Sequence, residues 1–178
     1  MKTQNSKLNA QNSTRGFTII ECLISLTITA VLMVSLGVAF NASATSYREN
    51  EQMFRTINNA RQALTRITSQ LRTAGYQVDP NHYAAVDPAA PGNQCSLYTA
   101  NGQNLTYEFR SADQKLYLIT NSDHHEYVLC DHVTATNFIK TPDGHGDCKS
   151  VQISLTVQSG GQQRSLAAAA VVRRNLDL

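Results

Sequence analysis

The sequence predicts an α+β fold: one long N-terminal helix, membrane-spanning in its first half, packed against a C-terminal antiparallel β-sheet. Three observations predict it. From Cys22 to Phe40 no residue carries a charge, and that run is close to the length a helix needs to cross a hydrocarbon core. Phe54, Ile57, Leu64, Ile67, Leu71 and Ala74 then recur at helical spacing, with no proline before Pro80. Further on, the chain breaks into short segments with apolar residues at alternate positions, which is strand spacing.

Taken in order, residues 1–16 (MKTQNSKLNAQNSTRG) carry Lys2, Lys7 and Arg15 and no acid. A positive flank before an apolar span stays cytoplasmic, which puts the bulk of the chain across the membrane. The formal charge of the whole is +2, so everything after this leader sums to −1. Outside the leader the only basic cluster is Arg173-Arg174, which argues against a nucleic-acid surface. Residues 17–40 form the spanning segment and 41–76 the amphipathic half of the same helix. Arg48, Glu49, Glu51, Arg55, Arg61, Arg66 and Arg72 mostly occupy its polar side. Residues 17–74 can run unbroken for roughly 87 Å at about 1.5 Å per residue, and Gly75 is placed for a left-handed cap.

The head covers residues 77–178. Its first part, 78–94, is rich in Pro, Asn, Asp and Gly and reads as a loop. Strands are predicted at 105–109, 115–120, 126–130, 133–139, 151–157 and 165–172. Val151, Ile153, Leu155 and Val157 share one face, as do Leu166, Ala168, Ala170 and Val172. Ser111-Ala112-Asp113-Gln114 joins two strands, and Gly160-Gly161 turns the last hairpin. One sheet with one apolar face, laid across the amphipathic helix, buries both.

Against this background Glu21 stands out, because an acid at the front of an apolar span is costly in lipid. A cleaved export signal is the competing reading, with Ala39-Phe40-Asn41-Ala42-Ser43-Ala44 as a cleavage region. The apolar run is longer than a signal core, and the helical pattern continues past it without turn residues. Three cysteines fall in the exported part, where oxidation is permitted. A Cys130–Cys148 disulfide is expected, with Cys95–Cys130 as the alternative, since connectivity is not readable from spacing. Cys22 reads as a small buried thiol in the apolar helix. His124, His125, His132 and His145 lie near aspartates but match no compact ligand motif. Asp143 and Asp147 flank a loop without the ligand run of a calcium site. No metal or cofactor is predicted, and no nucleophile–base pair or phosphate loop stands out, so no enzyme is predicted.

The stretch RGFTIIE, residues 15–21, resembles the prepilin processing and methylation motif of type IV pilins and type II secretion pseudopilins, with Ile19 where leucine is usual. ARQALTRITSQLRTAGY, residues 60–76, and VVRRN, residues 171–175, are similar to the helix end and last strand of PilW-like minor pilins and J-type pseudopilins. The resemblance implies a type IV pilin-like fold and cleavage after Gly16 by a membrane-embedded aspartyl peptidase, with methylation of the new amine on Phe17. Lys2, Lys7 and Arg15 become the leader charge. Glu21, the fifth mature residue, becomes the contact that meets a neighbouring subunit's N-terminal amine and sets register in the filament, a buried acid being tolerable when paired.

Two function classes follow. The first is a filament subunit: a minor pilin of a type IV pilus, or a minor pseudopilin of a secretion system. Its partners would be other subunits, the prepilin peptidase, an inner-membrane assembly platform and the bilayer, with the head in the periplasm and no nucleic acid. The second is a single-pass anchor presenting a binding module outward. RGFTIIE separates them, because a plain anchor needs neither a cleavable leader nor an acid at that place.

Overall fold

The computed structural model describes residues 16–75, 85–144 and 146–172. Lys2, Lys7, Arg15, Pro80, His145 and the Arg173-Arg174 pair lie outside them. The chain divides between Ser46 and Tyr47 into two units, and helix α1, Ile19–Arg72, passes from one into the other.

In the first unit α1 has no buried residue, so Cys22, expected to be buried, is exposed within this chain. Leucine, isoleucine and valine side chains stand exposed all round it, with Leu26 at 69% and Leu32 at 57%, and the stretch is long and apolar enough to cross a membrane. The hydroxyls from Ser25 to Ser35 are satisfied within the helix. Thr27 Oγ1 donates to the Ile24 carbonyl (2.8 Å), Thr29 Oγ1 to Ser25 (2.7 Å) and Ser35 Oγ to Val31 (2.9 Å). This back-bonding leaves a lateral surface that asks nothing of water, as a lipid-facing helix requires.

In the second unit α1 buries one stripe: Met53, Thr56, Ala60, Ala63, Leu64, Ile67 and Leu71. Thr56 enters the core because its hydroxyl donates to the Gln52 carbonyl at 3.0 Å. Phe54, expected in this stripe, is 62% exposed on the opposite side, and Met53 takes the inward position. The helix ends with Thr73 N–H shared between the carbonyls of Ser69 and Gln70. Gly75 is not in the left-handed region expected of it. Its N–H instead donates to the Tyr98 carbonyl at 3.0 Å, tying the helix end to the first strand.

The strands are β1 Gln94–Tyr98, β2 Asn104–Arg110, β3 Lys115–Thr120, β4 His125–Cys130, β5 Val133–Pro142, β6 Cys148–Ser159 and β7 Gln162–Val171. They form two antiparallel sheets, β1-β2-β3-β4 and β5-β6-β7, where the sequence suggested one. β1 was not foreseen. It holds only two inward residues, Cys95 and Leu97, too few to show a period, and its strand state comes from pairing with Thr106 and its neighbours on β2. On the other edge of β1, Val86 bridges Leu97, Asp87 N–H donates to Ser96 O, and Tyr98 N–H donates to Ala85 O. Part of the expected loop is thus extended backbone.

The predicted faces of β6 and β7 hold. Val151, Ile153, Leu155 and Val157 are buried, as are Ala170 and Val172, while Leu166 and Ala168 are half-buried. The β6–β7 hairpin turns on Gly160-Gly161, with φ +58° at Gly160, as a type II′ turn asks of its first central residue. Backbone bonds between the sheets, Val133 N–H to Gln114 O (2.9 Å) and Phe138 N–H to Gly92 O (2.7 Å), bring them together. Gly92 sits close: a Cβ there would come within 2.9 Å of Asn137 Oδ1. The helix stripe and the inner faces of both sheets make one core, which includes Tyr107, Leu118, Phe138 and Ile153. Tyr107 donates its hydroxyl to Gln70 Oε1 across the helix–sheet contact.

Candidate functional site at the start of the long helix

Thr18 is the N-cap of α1 and Glu21 its third helical residue. Glu21 Oε2 accepts from Thr18 N–H at 2.8 Å and from Thr18 Oγ1–H at 2.9 Å, and Glu21 N–H donates to Thr18 Oγ1 at 3.3 Å. This is a reciprocal capping box, which satisfies amide groups that the first turn of a helix otherwise leaves open. The carboxylate also sits where the positive end of the helix dipole favours it. The sequence carries the signal in TIIE ahead of an apolar run, yet the capping role of Thr18 is not among the roles expected of that stretch, where Thr18 counts only as part of the processing motif.

Gly16 and Phe17 precede the cap, and Phe17 is 84% exposed. A Cβ added to Gly16 would meet nothing within 4 Å. Among the described residues, then, no packing contact requires glycine at that position.

The head cysteines do not pair as expected. None of the cysteines forms a disulfide. Cys95 and Cys130 lie on β1 and β4, the two opposite edges of one four-stranded sheet. Three strand spacings of about 4.8 Å put them about 14 Å apart, and a disulfide needs Cα atoms within about 7 Å. Cys148 pairs with Pro142 at the end of β5, whereas Cys130 precedes Val133 at its start. About 30 Å of strand separates those two ends. The expected connectivities fail because they were read from spacing, and the two-sheet topology decides the distances. All three thiols are buried. Burial pushes Cys95 up to about 12, and Cys130 and Cys148 up to about 11.

Two of the histidines lie beside aspartates. His125 Nε2 is 3.8 Å from Asp123 and His132 Nδ1 is 3.3 Å from Asp131, both pairs on the surface. His124 and His132 have positive φ, as tight turns between strands require. Asp147 is 3% exposed and acts as a backbone anchor. It accepts from Ala85 N–H and Val86 N–H at 3.0 Å each and from Cys148 N–H at 2.6 Å. Its own N–H donates to Asp143 Oδ1 at 3.1 Å. Among the described residues no three His, Cys, Asp or Glu side chains converge as metal ligands. Asp131, His132 and Ser159 border one cleft of about 350 Å³ with Gln52, Arg55, Thr56 and Asn59. Asp131 and His132 are solvent-facing there, and no hydrogen bond joins Ser159 to His132.

Residues 11–37 match the family described as the prokaryotic N-terminal methylation motif. No curated protein matches the chain. The motif, together with a long N-terminal helix packed against antiparallel sheet, supports a type IV pilin- or pseudopilin-like family.

Proposed function

We propose that the chain is a minor subunit of a type IV pilus, cleaved after Gly16 and methylated on Phe17. The observation that carries this is the segment from Gly16 to Glu21. A Cβ on its glycine would meet nothing among the described residues, its helix is capped at once by Thr18 and Glu21, and it lies within the matched methylation motif. A glycine without an internal reason fits a peptide that must pass through a narrow protease site. The leader charges Lys2, Lys7 and Arg15 hold the start of the chain in the cytoplasm. The exposed apolar half of α1 rests in the inner membrane and later packs among other subunits, with the head in the periplasm. The same chemistry would serve a pseudopilus, and the partners are other subunits, the prepilin peptidase and an assembly platform.

Glu21 then has two separable tasks. It caps its own helix, and its charge meets a neighbour's amine during assembly. Glu21→Gln keeps a capping acceptor at the third helical position but removes the charge, whereas Glu21→Val removes both. If the charge matters, both variants are cleaved and inserted but enter filaments poorly. Filament entry of Glu21→Gln at the wild-type level would overturn the charge role. Intact-mass measurement of the exported chain tests processing: a start at Phe17 with one added methyl group supports it, and a start near Ala42 or Ala44 means an ordinary signal peptide. Gly16 replaced by a bulky residue is expected to leave the leader attached while the head folds unchanged.

A further inference from the structure

We infer that Tyr47 and Arg48 anchor α1 in the outer headgroup layer of a phospholipid bilayer, which holds Glu21 in the inner headgroup layer until assembly. The inference deepens the membrane and filament reading and rests on it. From Cys22 to Tyr47 no residue carries a charge, so Glu21 and Arg48 are the charges that bound the apolar span. Along the single helix α1 they stand about 40 Å apart at about 1.5 Å per residue. A hydrocarbon core is about 30 Å thick, and a bilayer with its headgroups about 40–45 Å. The two charges therefore reach both headgroup layers at once. Sliding the helix outward until Glu21 lay a turn inside the hydrocarbon would carry Arg48 past the outer headgroups. Sliding it inward would drag Arg48 into the hydrocarbon. Each shift puts an ionised side chain where it is costly.

The side chains at the outer end suit that layer. Tyr47 is 72% exposed and carries an apolar ring with a polar tip, as headgroup-level aromatics do. Arg48 is exposed and has no ion pair among the described residues. The acids that follow do not occupy it: Glu51 pairs with Arg55 at 2.7 Å, and Glu49 lies on the side of the helix away from Tyr47. A guanidinium left open beside an aromatic ring fits a lipid phosphate, which it binds through paired N–H groups, while its stem lies along apolar chains. Before Tyr47 come Asn41, Ser43, Thr45 and Ser46, uncharged polar residues at the boundary. Thr45 Oγ1 donates to the Asn41 carbonyl at 3.0 Å, so it enters that boundary already satisfied. At the inner end Glu21 Oε2 is held by Thr18, and the charge meets water and headgroups rather than acyl chains. The acid thus gives up its hydration only when the helix leaves the bilayer for the filament, where a neighbour's amine replaces it.

The test uses the full chain in its own membrane, with a photo-cross-linking residue in place of Ser46. The control places it at Phe54, about 12 Å further along α1 at about 1.5 Å per residue. Mass spectrometry is expected to find phospholipid adducts at position 46 and none at 54. Tyr47→Ser with Arg48→Glu should lower the yield at 46 at least threefold, and Arg48→Lys should largely keep it. All these positions are exposed, and unchanged burial of the head thiols reports that the variants fold. The inner end is read at Cys22, the exposed thiol beside Glu21: a membrane-impermeant maleimide added to inside-out vesicles is expected to label it. The inference is overturned by no phospholipid adduct at 46, by equal adducts at 46 and 54, by a yield indifferent to the double substitution, or by a Cys22 that labels only in detergent. Intact mass separates this failure from that of the filament reading. A chain that starts near Ala42 has no span to anchor, whereas one that starts at Phe17 without these adducts loses the anchor alone.

Discussion

Asp147 does by itself what a stretch of strand pairing does elsewhere. Its carboxylate holds the Ala85 and Val86 amides, and those residues in turn cover the edge of β1 through the Val86–Leu97 bridge. Asp147→Asn presents an amide group to those donors. The expected cost is roughly 1–3 kcal/mol, since buried donors are left unsatisfied, read as a lower denaturant midpoint of the purified chain. The sequence could not point to this role. An aspartate between Asp143 and Cys148 in a glycine-containing loop looks like a surface residue, and its partners lie some sixty residues away. Glu21 is the opposite case: its cap is local and legible from four letters. The buried thiols give a pH dependence. Their folded values lie above the ordinary 9.0, at about 12 for Cys95 and about 11 for Cys130 and Cys148. From about pH 9 upward the unfolded chain releases these protons while the folded one retains them. Head stability is therefore full below about pH 9 and declines as pH rises toward 12. Equilibrium unfolding on either side of pH 9, with cysteine-to-alanine variants as controls, checks this.

At the scale of the element, α1 is one helix in two solvents. Periodicity located its core stripe but misplaced one residue, because Phe54 and Met53 are neighbours and either could face inward on hydrophobicity alone. Packing chose Met53. This gives a paired prediction. Ile67→Ala, at a fully buried position, is expected to lower head stability by about 2–5 kcal/mol. Phe54→Ala is expected to stay within about 0.5 kcal/mol in the isolated chain, as exposed positions do. Urea unfolding of both variants measures the contrast, and a loss of several kcal/mol for Phe54→Ala would mean that its ring packs within the fold after all. The strands divide in the same way. β6 announced itself through four alternating aliphatics, whereas β1 has two inward residues and exists through its neighbours.

At the scale of the whole molecule, the class of architecture followed from an uncharged span, a helical stripe and a series of alternating segments. The division into two sheets did not follow. It depends on which edges meet, and the expected Cys130–Cys148 and Cys95–Cys130 bonds failed for the same reason. Three buried thiols should make the native head inert toward alkylating reagents. Maleimide labelling of the folded chain in detergent is expected to stop at Cys22 and to reach Cys95, Cys130 and Cys148 only after denaturation; labelling of any of the three in the folded state would contradict their burial.

The buried stripe of α1 also has a mechanical meaning. Tension applied along the helix axis would reach the head through Met53 to Leu71, and it would have to slide that row of side chains along the sheets rather than lift them one at a time. Load is then shared over several helical turns. The Gly75–Tyr98 hydrogen bond and the Tyr107–Gln70 contact lie at the far end of the row, where the force arrives last. A head gripped this way would share axial load along the helix instead of yielding one contact at a time.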